Sequence, residues 1–393
     1  MMLRDAEIAS LRRAWGAPGR RCAEFEARIT AAPEGAAALV AGEFCRAVAY
    51  EALGGLPGPG ERVRLEVSAL ARRLGTGGHA MVTARLDVLP ADPAPGGHLV
   101  KARYMPDQVM VTGVDEQATE HHHVLAAPIG ERALDGAPVV VADLHSSLPA
   151  ILAGLRSPGA APGPGPRAAY VMTDGGALPL PYSRAVSALV DAGWLAGTVT
   201  AGQAWGGDLE AVSVHNALLA ARHVLGAEVI VVIQGPGNLG TGTPWGFSGV
   251  ACGEAINAAA ALGGHPVACL RMSQADARPR HLGVSHHSIT AYGRVALAGA
   301  DVVVPVGAPD PAGMEGFWAR AREQAARVCG KRERGQQHRL VEARAEGLRE
   351  TLEAMEAATG IRLSTMGRHL DADEAAFIAA AAAGRHAASL VTR

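Results

Sequence analysis

The densest run of chemically capable side chains is Arg278-Pro279-Arg280-His281-Leu282-Gly283-Val284-Ser285-His286-His287. Arginine forks bind phosphate or carboxylate through two parallel hydrogen bonds, and histidine binds metal or moves protons near neutral pH. Upstream, the apolar run Val229 to Ile233 breaks into Gly235-Pro236-Gly237-Asn238-Leu239-Gly240-Thr241-Gly242-Thr243. Such a loop can hold an anion on its bare amides, with Gly235, Gly237, Gly240, Thr241, Gly242 and Thr243 as the cradle. The N-terminus of a helix expected after Ser248 would face the same anion. Arg278 and Arg280 would clamp it beside His281, with His286 or His287 as metal ligand or proton donor. Adjacent side chains on a strand or loop diverge, so the doublet is expected to offer one working ring. The loop has a second reading, a crossover packed tightly on neighbouring backbone.

Carboxylates and one more imidazole follow other apolar runs: Asp143 and His145, Asp174 before Gly175-Gly176, and Asp208 after Gly206-Gly207. In open parallel sheets ligands sit beyond the carboxyl ends of the strands, so these groups are candidates for one site. Asp143, His145 and Asp208 would supply the mixed nitrogen and oxygen donors that suit a divalent metal, and Asp174 a base. Asp208 is also the simplest N-cap of the helix expected to follow it, with His215 on the same face. The triplet His121-His122-His123 reads equally well as surface.

Gly235-x-Gly237-x-x-Gly240 formally matches a dinucleotide fingerprint, but Thr241 to Phe247 prolong the loop where a Rossmann turn must enter a helix at once, so NAD is not expected. The loop does not end in Gly-Lys-Ser/Thr, and no Gly-x-Ser-x-Gly elbow occurs. Ser146, Ser147, Ser273 and Ser285 carry no nucleophile signature.

The elements that must position these groups change character along the chain. Residues 1–21 are expected to be helical or flexible. Residues 22–126 hold short strands such as Arg62 to Val67 and Ala80 to Leu86 between Gly/Pro turns, which suggests a small β-rich, barrel-like domain. Over 127–312, apolar strands alternate with helical stretches, the pattern of a doubly wound, mostly parallel α/β sheet. Its strands are expected at Pro138 to Ala142, Ala168 to Met172, Thr198 to Ala201, Val229 to Ile233, Pro266 to Leu270 and Asp301 to Pro305. Helices over 183–192, 208–225 and 248–262 each end at a glycine, Gly193, Gly226 and Gly263. Ser157 to Pro166 is too rich in Pro and Gly for regular structure and reads as a surface loop, either a lid or slack. Residues 313–393 read as a charged helical extension, with a flexible break at Cys329 to Gly335.

Composition excludes several classes. The 393 residues carry a net charge near −2 and few aromatics, which gives no general pull toward nucleic acid or membrane. There is no uninterrupted apolar run long enough to span a bilayer and no signal-peptide core at Met1 to Glu7, so a soluble, cytoplasmic protein is expected. Cys22, Cys45, Cys252, Cys269 and Cys329 form no C-x-x-C pair and read as reduced thiols. Only Lys101 and Lys331 stand against the many arginines, a bias that warns against reading every arginine as selected.

The chain resembles a bacterial family, domain of unknown function number 3866. The resemblance rests on Gly75-Thr76-Gly77-Gly78, Met172 to Pro179, Gly206 to Val212, Gly235-Pro236-Gly237 with Gly240 to Thr243, Gly246-Phe247-Ser248-Gly249, Arg278 to His281, Gly283 to His287 and Leu363 to Arg368. His79, Asn238 and Gln274 depart from its pattern. The resemblance implies no activity. The residues themselves favour an enzyme acting on a phosphorylated or otherwise anionic small molecule by metal-assisted hydrolysis, with self-association into a homo-oligomer as a further expectation. The alternative is a non-catalytic sensor of a nucleotide-like ligand.

Overall fold

The computed structural model describes residues 1–75, 77–93, 96–158, 165–330 and 334–391. Residues 159–164 of the Pro/Gly loop and 331–333 of the expected break lie outside them.

Burial alternates along the first residues of the chain, placing Ala6 and Ile8 inside, and this period of two makes β1 (Leu3–Trp15) a strand. With β2 (Cys22–Ala31), β3 (Phe44–Tyr50), β4 (Arg62–Glu66) and β5 (Ala80–Arg85) it closes a barrel of order β1-β2-β3-β5-β4. Only β3 and β5 pair in parallel, which is the topology of the five-stranded Greek-key OB barrel. The expectation of a helical or flexible segment over 1–21 is corrected: β1 pairs with both β2 and β4, and this tertiary pairing overrides the weak local pattern. Ile8, Phe25, Ile29, Val63 and Leu65 fill the barrel. A one-turn helix α1 (Ser68–Ala71) precedes β5, and a short pair β6 (Leu99–Lys101) and β7 (Val109–Val111) follows it. This unit comprises Met1–Val111 and Pro181–Ser187.

The second unit, Thr112–Leu180 with Ala188–Arg393, is built on one eight-stranded parallel sheet. After the one-turn α2 (His122–Leu125) come β8 (Pro138–Ala142), β9 (Ala168–Thr173), β10 (Gly197–Ala201), β11 (Leu209–Ala211), β12 (Val229–Gln234) and β13 (His265–Cys269). A hairpin of β14 (Met272–Ser273) and β15 (Gly283–Val284) follows, then β16 (Asp301–Val306) and β17 (Arg339–Arg344). The sheet order is β11-β10-β9-β12-β8-β13-β16-β17. The six expected strands are present, each within one residue at either end. Their β-branched runs are buried on both faces, as a parallel sheet covered by helices requires.

Helices α3 (Leu148–Leu155), α4 (Arg184–Asp191), α5 (Val214–His223), α6 (Ala251–Ala261), α7 (His286–Thr290), α8 (Phe317–Val328), α9 (Leu348–Thr359) and α10 (Glu374–Ser389) complete the chain. Val139, Val141, Ile230, Val232 and Val302 pack with α5, α6 and α8, while α3 and α10 cross each other. That crossing depends on two glycines. A Cβ on Gly154 would fall 1.9 Å from the Ala381 carbonyl oxygen, and one on Gly384 2.0 Å from that of Ile151.

Two further expectations are corrected. The stretch 208–225 is not one helix: β11 forms first, and Ser213 caps α5 by accepting from the Asn216 N–H. Residues 313–393 are no separate extension, because β17 pairs with β16 along its whole length and α10 packs on the sheet. Among the described residues no helix is long and apolar enough to cross a membrane.

Candidate functional site

The chain runs from β8 to α3 and from the adjacent β12 to α6, helices that pack separately, so the carboxyl ends of β8 and β12 flank the crevice where open α/β sheets hold ligands. Asp143 follows β8 there and is buried. Gln234 closes β12 and donates its Nε2 to the Asp143 carbonyl at 2.9 Å and to Asn238 Oδ1. On the other flank of β8, the chain leaving β13 passes Arg271, runs out along β14, returns along β15 and turns into α7. That excursion carries the Arg/His segment back to Asp143.

Three imidazoles converge at the turn. His281, His286 and His287 each offer a nitrogen, and the three atoms lie within 4.8 Å of one another. Ser285 builds the turn: it is the N-cap of α7, its Oγ accepts from the His287 N–H at 3.2 Å, and the same oxygen lies 2.8 Å from His281 Nδ1. The expected divergence of the doublet, with one ring facing away, is corrected: both rings come to the same point. His286 and His287 open a helix, where neighbours diverge by about 100° rather than 180°. Their ring centroids stand 4.5 Å apart. Below them the helix passes into a π-helical turn, Ala291–Val295, whose Tyr292 hydroxyl donates to the carbonyls of Val141 at 2.7 Å and Cys269 at 3.1 Å. This pins the helix to the ends of β8 and β13.

Each ring is held differently. His287 stacks flat on Phe247, centroids 3.8 Å apart, and its Nδ1 lies 3.2 Å from Asp143 Oδ2 and 3.1 Å from Arg271 Nη1. Burial pushes the Asp143 pKa up, but the His287 hydrogen bond and the Arg271 charge outweigh it and hold the carboxyl below its usual range. Loss of hydration, reinforced by the Arg271 and Arg278 charges, lowers the His281 pKa to about 3. Burial and the neighbouring His287 lower that of His286 as well. Both rings are therefore neutral at pH 7, the form that binds a metal. His286 Nε2 is buried and has no hydrogen-bond partner among the described residues.

The other expected site residues divide. Arg280 is exposed and lies against the glycine loop, where a Cβ on Gly242 would fall 3.1 Å from its Nη2. Arg278 is no free clamp, because its Nε and Nη2 bind both oxygens of Asp276 at 2.9 and 2.8 Å. Arg368 and Asp373 join that pair and anchor the excursion to the C-terminal segment. His145 is engaged as a structural ring: its Nδ1 lies 3.1 Å from the Tyr170 hydroxyl, and it hydrogen-bonds the backbone of Gln234. Asp208 sits at the β11 edge of the sheet, accepting from the Thr198 N–H and hydroxyl at the amino end of β10, whereas Asp143 lies at the carboxyl end of interior β8, so its place in a metal set with Asp143 is corrected. Asp174 is exposed, lies beyond β12 from Asp143, and accepts from the Gln203 N–H at 2.9 Å.

The glycine loop takes the close-packing form over its first half. A Cβ on Gly235 would fall 2.3 Å from the Ala177 carbonyl oxygen, and one on Gly176 2.1 Å from that of Gly235. Its second half folds on itself: the Thr241 N–H donates to the Gly246 carbonyl, and the Gly246 N–H to Thr243 Oγ1. Gly237 and Gly242 hold left-handed backbone at φ +93° and +80°. Arg271 stands where a polar group after a strand end is expected to line the site, whereas neither Phe247 nor Asp276 is marked as a site residue by the sequence. Asp276 had one legible signal, its position two residues before Arg278.

With this geometry in place, the family described as Protein of unknown function (DUF3866) matches residues 46–384. The chain belongs to that family. The DUF3866 match spans both units and includes the three histidines, Asp143, Arg271 and Phe247. No curated protein and no solved structure matches the chain.

Proposed function

We propose that the protein is a metal-assisted hydrolase of an anionic, phosphorylated small molecule, with His281, His286 and His287 holding a divalent transition metal. The observation that carries this reading is the convergence of three imidazole nitrogens on one point, where His286 also carries a buried Nε2 with no hydrogen-bond partner among the described residues. Imidazole donors suit zinc, iron, nickel or copper, and three of them leave a coordination position open for substrate. Such an ion supplies Lewis acidity toward a phosphoryl oxygen.

The remaining residues have supporting parts. Asp143 Oδ2 lies 3.2 Å from His287 Nδ1; with the proton on Nδ1, the carboxylate accepts from it and the opposite ring nitrogen of His287 is left for the metal, the carboxylate–histidine arrangement that orients metal ligands. Ser285 does the same for His281, and Phe247 fixes the plane of His287. The exposed guanidinium of Arg280 receives the anionic group of the substrate. This metal set replaces Asp143, His145 and Asp208 as donors.

Elemental analysis of tag-free protein tests the reading. We expect near-stoichiometric metal in the wild type, its loss in His286→Ala, and phosphoester hydrolysis that disappears with it. Equal trace metal in both proteins after incubation with zinc, manganese and iron would overturn the assignment.

A further inference from the structure

The barrel carries a second constellation, remote in sequence from the histidines. Glu24 on β2 has a fully buried side chain, yet three guanidinium groups reach it. Arg13 binds Oε2 through Nε at 2.5 Å, while Arg12 Nε and Arg46 Nη1 lie 3.3 and 3.6 Å from Oε1. His79 Nε2 stands 3.7 Å from the same oxygen.

Consecutive residues of a strand normally point to opposite faces, so Arg12 and Arg13 should not share a carboxylate. A β-bulge brings them together. In the β1–β2 register Leu11 faces Phe25 and Arg13 faces Glu24, which leaves Arg12 as the extra residue and re-aims it. Arg46 reaches in from β3 across Gly77 and Gly78, donating to the Gly77 carbonyl at 3.1 Å. A Cβ on Gly78 would fall 2.4 Å from Arg46 Nη2, so the bare backbone of Gly78 leaves room for the guanidinium there. Arg184 adds a fourth charge: it lies 6.0 Å over the Trp15 ring, and the nearby charge of Arg13 adds to burial in lowering its pKa. Burial and the Arg46 charge lower the pKa of His79, so that ring is neutral at pH 7.

Four fixed positive charges thus surround a single negative one. The one carboxylate is sealed inside, whereas the Arg12, Arg13 and Arg46 side chains remain 48%, 40% and 44% exposed. A network built only for stability needs no such surplus, since like charges held together repel. A ligand phosphate would supply the missing charge and accept from guanidinium N–H groups that Glu24 does not use.

We propose that this face of the barrel is a phosphate-binding site, formed by Arg12, Arg13, Arg46 and Arg184 around Glu24. Glu24 pre-organises the arginines and competes with the ligand for them. The phosphate comes either from a small phosphorylated molecule or from a single-stranded nucleic acid, a source that net charge near −2 does not exclude because the charge is local.

The test titrates full-length protein with pyrophosphate by calorimetry and with a labelled oligothymidylate by fluorescence anisotropy. Arg12→Gln and Arg46→Gln, both at half-exposed positions, should each weaken binding by roughly tenfold. Glu24→Gln should tighten it by removing the competing charge, provided its melting curve shows a folded protein. Loss of pyrophosphate binding in the arginine variants identifies a small-molecule site, and loss of oligonucleotide binding alone identifies a nucleic-acid site. Failure of both probes to bind, or binding unchanged in the arginine variants, overturns the proposal.

Discussion

Asp143 Oδ2 lies 3.2 Å from His287 Nδ1, joining the end of the central strand to the start of a helix 144 residues later. Both side chains are nearly buried, and the Arg271 guanidinium stands 3.6 Å from the same carboxylate oxygen. Asp143→Asn keeps the shape but removes the charge that favours the Nδ1–H tautomer of His287. Under the proposed metal set, metal affinity should fall about 10- to 100-fold, the usual effect of losing such a partner. The mutant also leaves Arg271 with an uncompensated buried charge, so stability should drop by about 3 kcal/mol. Chelator competition and denaturant titration measure the two separately. Unchanged affinity together with a stability loss would reduce Asp143 to a structural role.

The α3–α10 crossing makes a prediction about the scaffold alone. In Gly384→Ala the new methyl would meet the Ile151 carbonyl oxygen at 2.0 Å, and backbone cannot step aside as a flexible side chain can. Alanine normally favours a helix interior over glycine by about 1 kcal/mol. Here the collision should reverse the sign and destabilise the protein by about 2 kcal/mol or more. A melting temperature equal to or above that of the wild type would show that the helices separate without penalty.

These two cases show what is legible in the sequence and what is not. The runs Val229 to Ile233 and Val139 to Ala142 mark strands because β-branched residues bounded by turns have few alternatives. Glycines 193, 226 and 263 mark helix ends because each holds left-handed backbone. Asp208 misleads because Gly206-Gly207 looks like a loop before a helix, whereas a three-residue strand intervenes, too short for periodicity to reveal. His286 and His287 are visible as a doublet, but the convergence of their rings depends on a helix beginning at that point. Nothing local couples Asp143 to His287, or residue 151 to residue 384. Such pairs are set by how strands order themselves in the sheet, and periodicity carries no information about that.

His145 predicts an acid sensitivity independent of the proposed metal set. Its ring is shielded from water beside Tyr170, and loss of hydration lowers its pKa from 6.5 to about 4, partly opposed by the hydrogen bond to Gln234. Below pH 6.5 the unfolded chain takes up a proton that the folded ring refuses, so stability falls as pH drops from 6.5 toward 4. By pH 5 the loss should be on the order of 2 kcal/mol. Denaturant unfolding of wild type and His145→Asn at pH 7 and pH 5 checks it. The variant should start less stable and decline less; parallel declines would mean that other groups carry the acid sensitivity.

The two arginines of the Arg278-Pro279-Arg280 segment should respond oppositely to the same substitution. Arg278 is chelated by Asp276, whose pKa it holds far below the usual range through a hydrogen-bonded pair. Arg278→Gln releases that buried carboxylate toward Arg368 alone, so the excursion from β14 to β15 should loosen and the melting temperature fall. Arg280 has no ion-pair partner among the described residues and faces solvent beside Gly242. Arg280→Gln should leave the melting temperature within about 1 °C, since exposed substitutions away from such networks rarely exceed about 0.5 kcal/mol. Under the proposed activity it should raise KM for an anionic substrate by roughly tenfold with little change in kcat, the signature of lost uniform binding. A KM effect confined to Arg278→Gln would instead move the anion contact to the Asp276 pair and leave Arg280 as a surface residue.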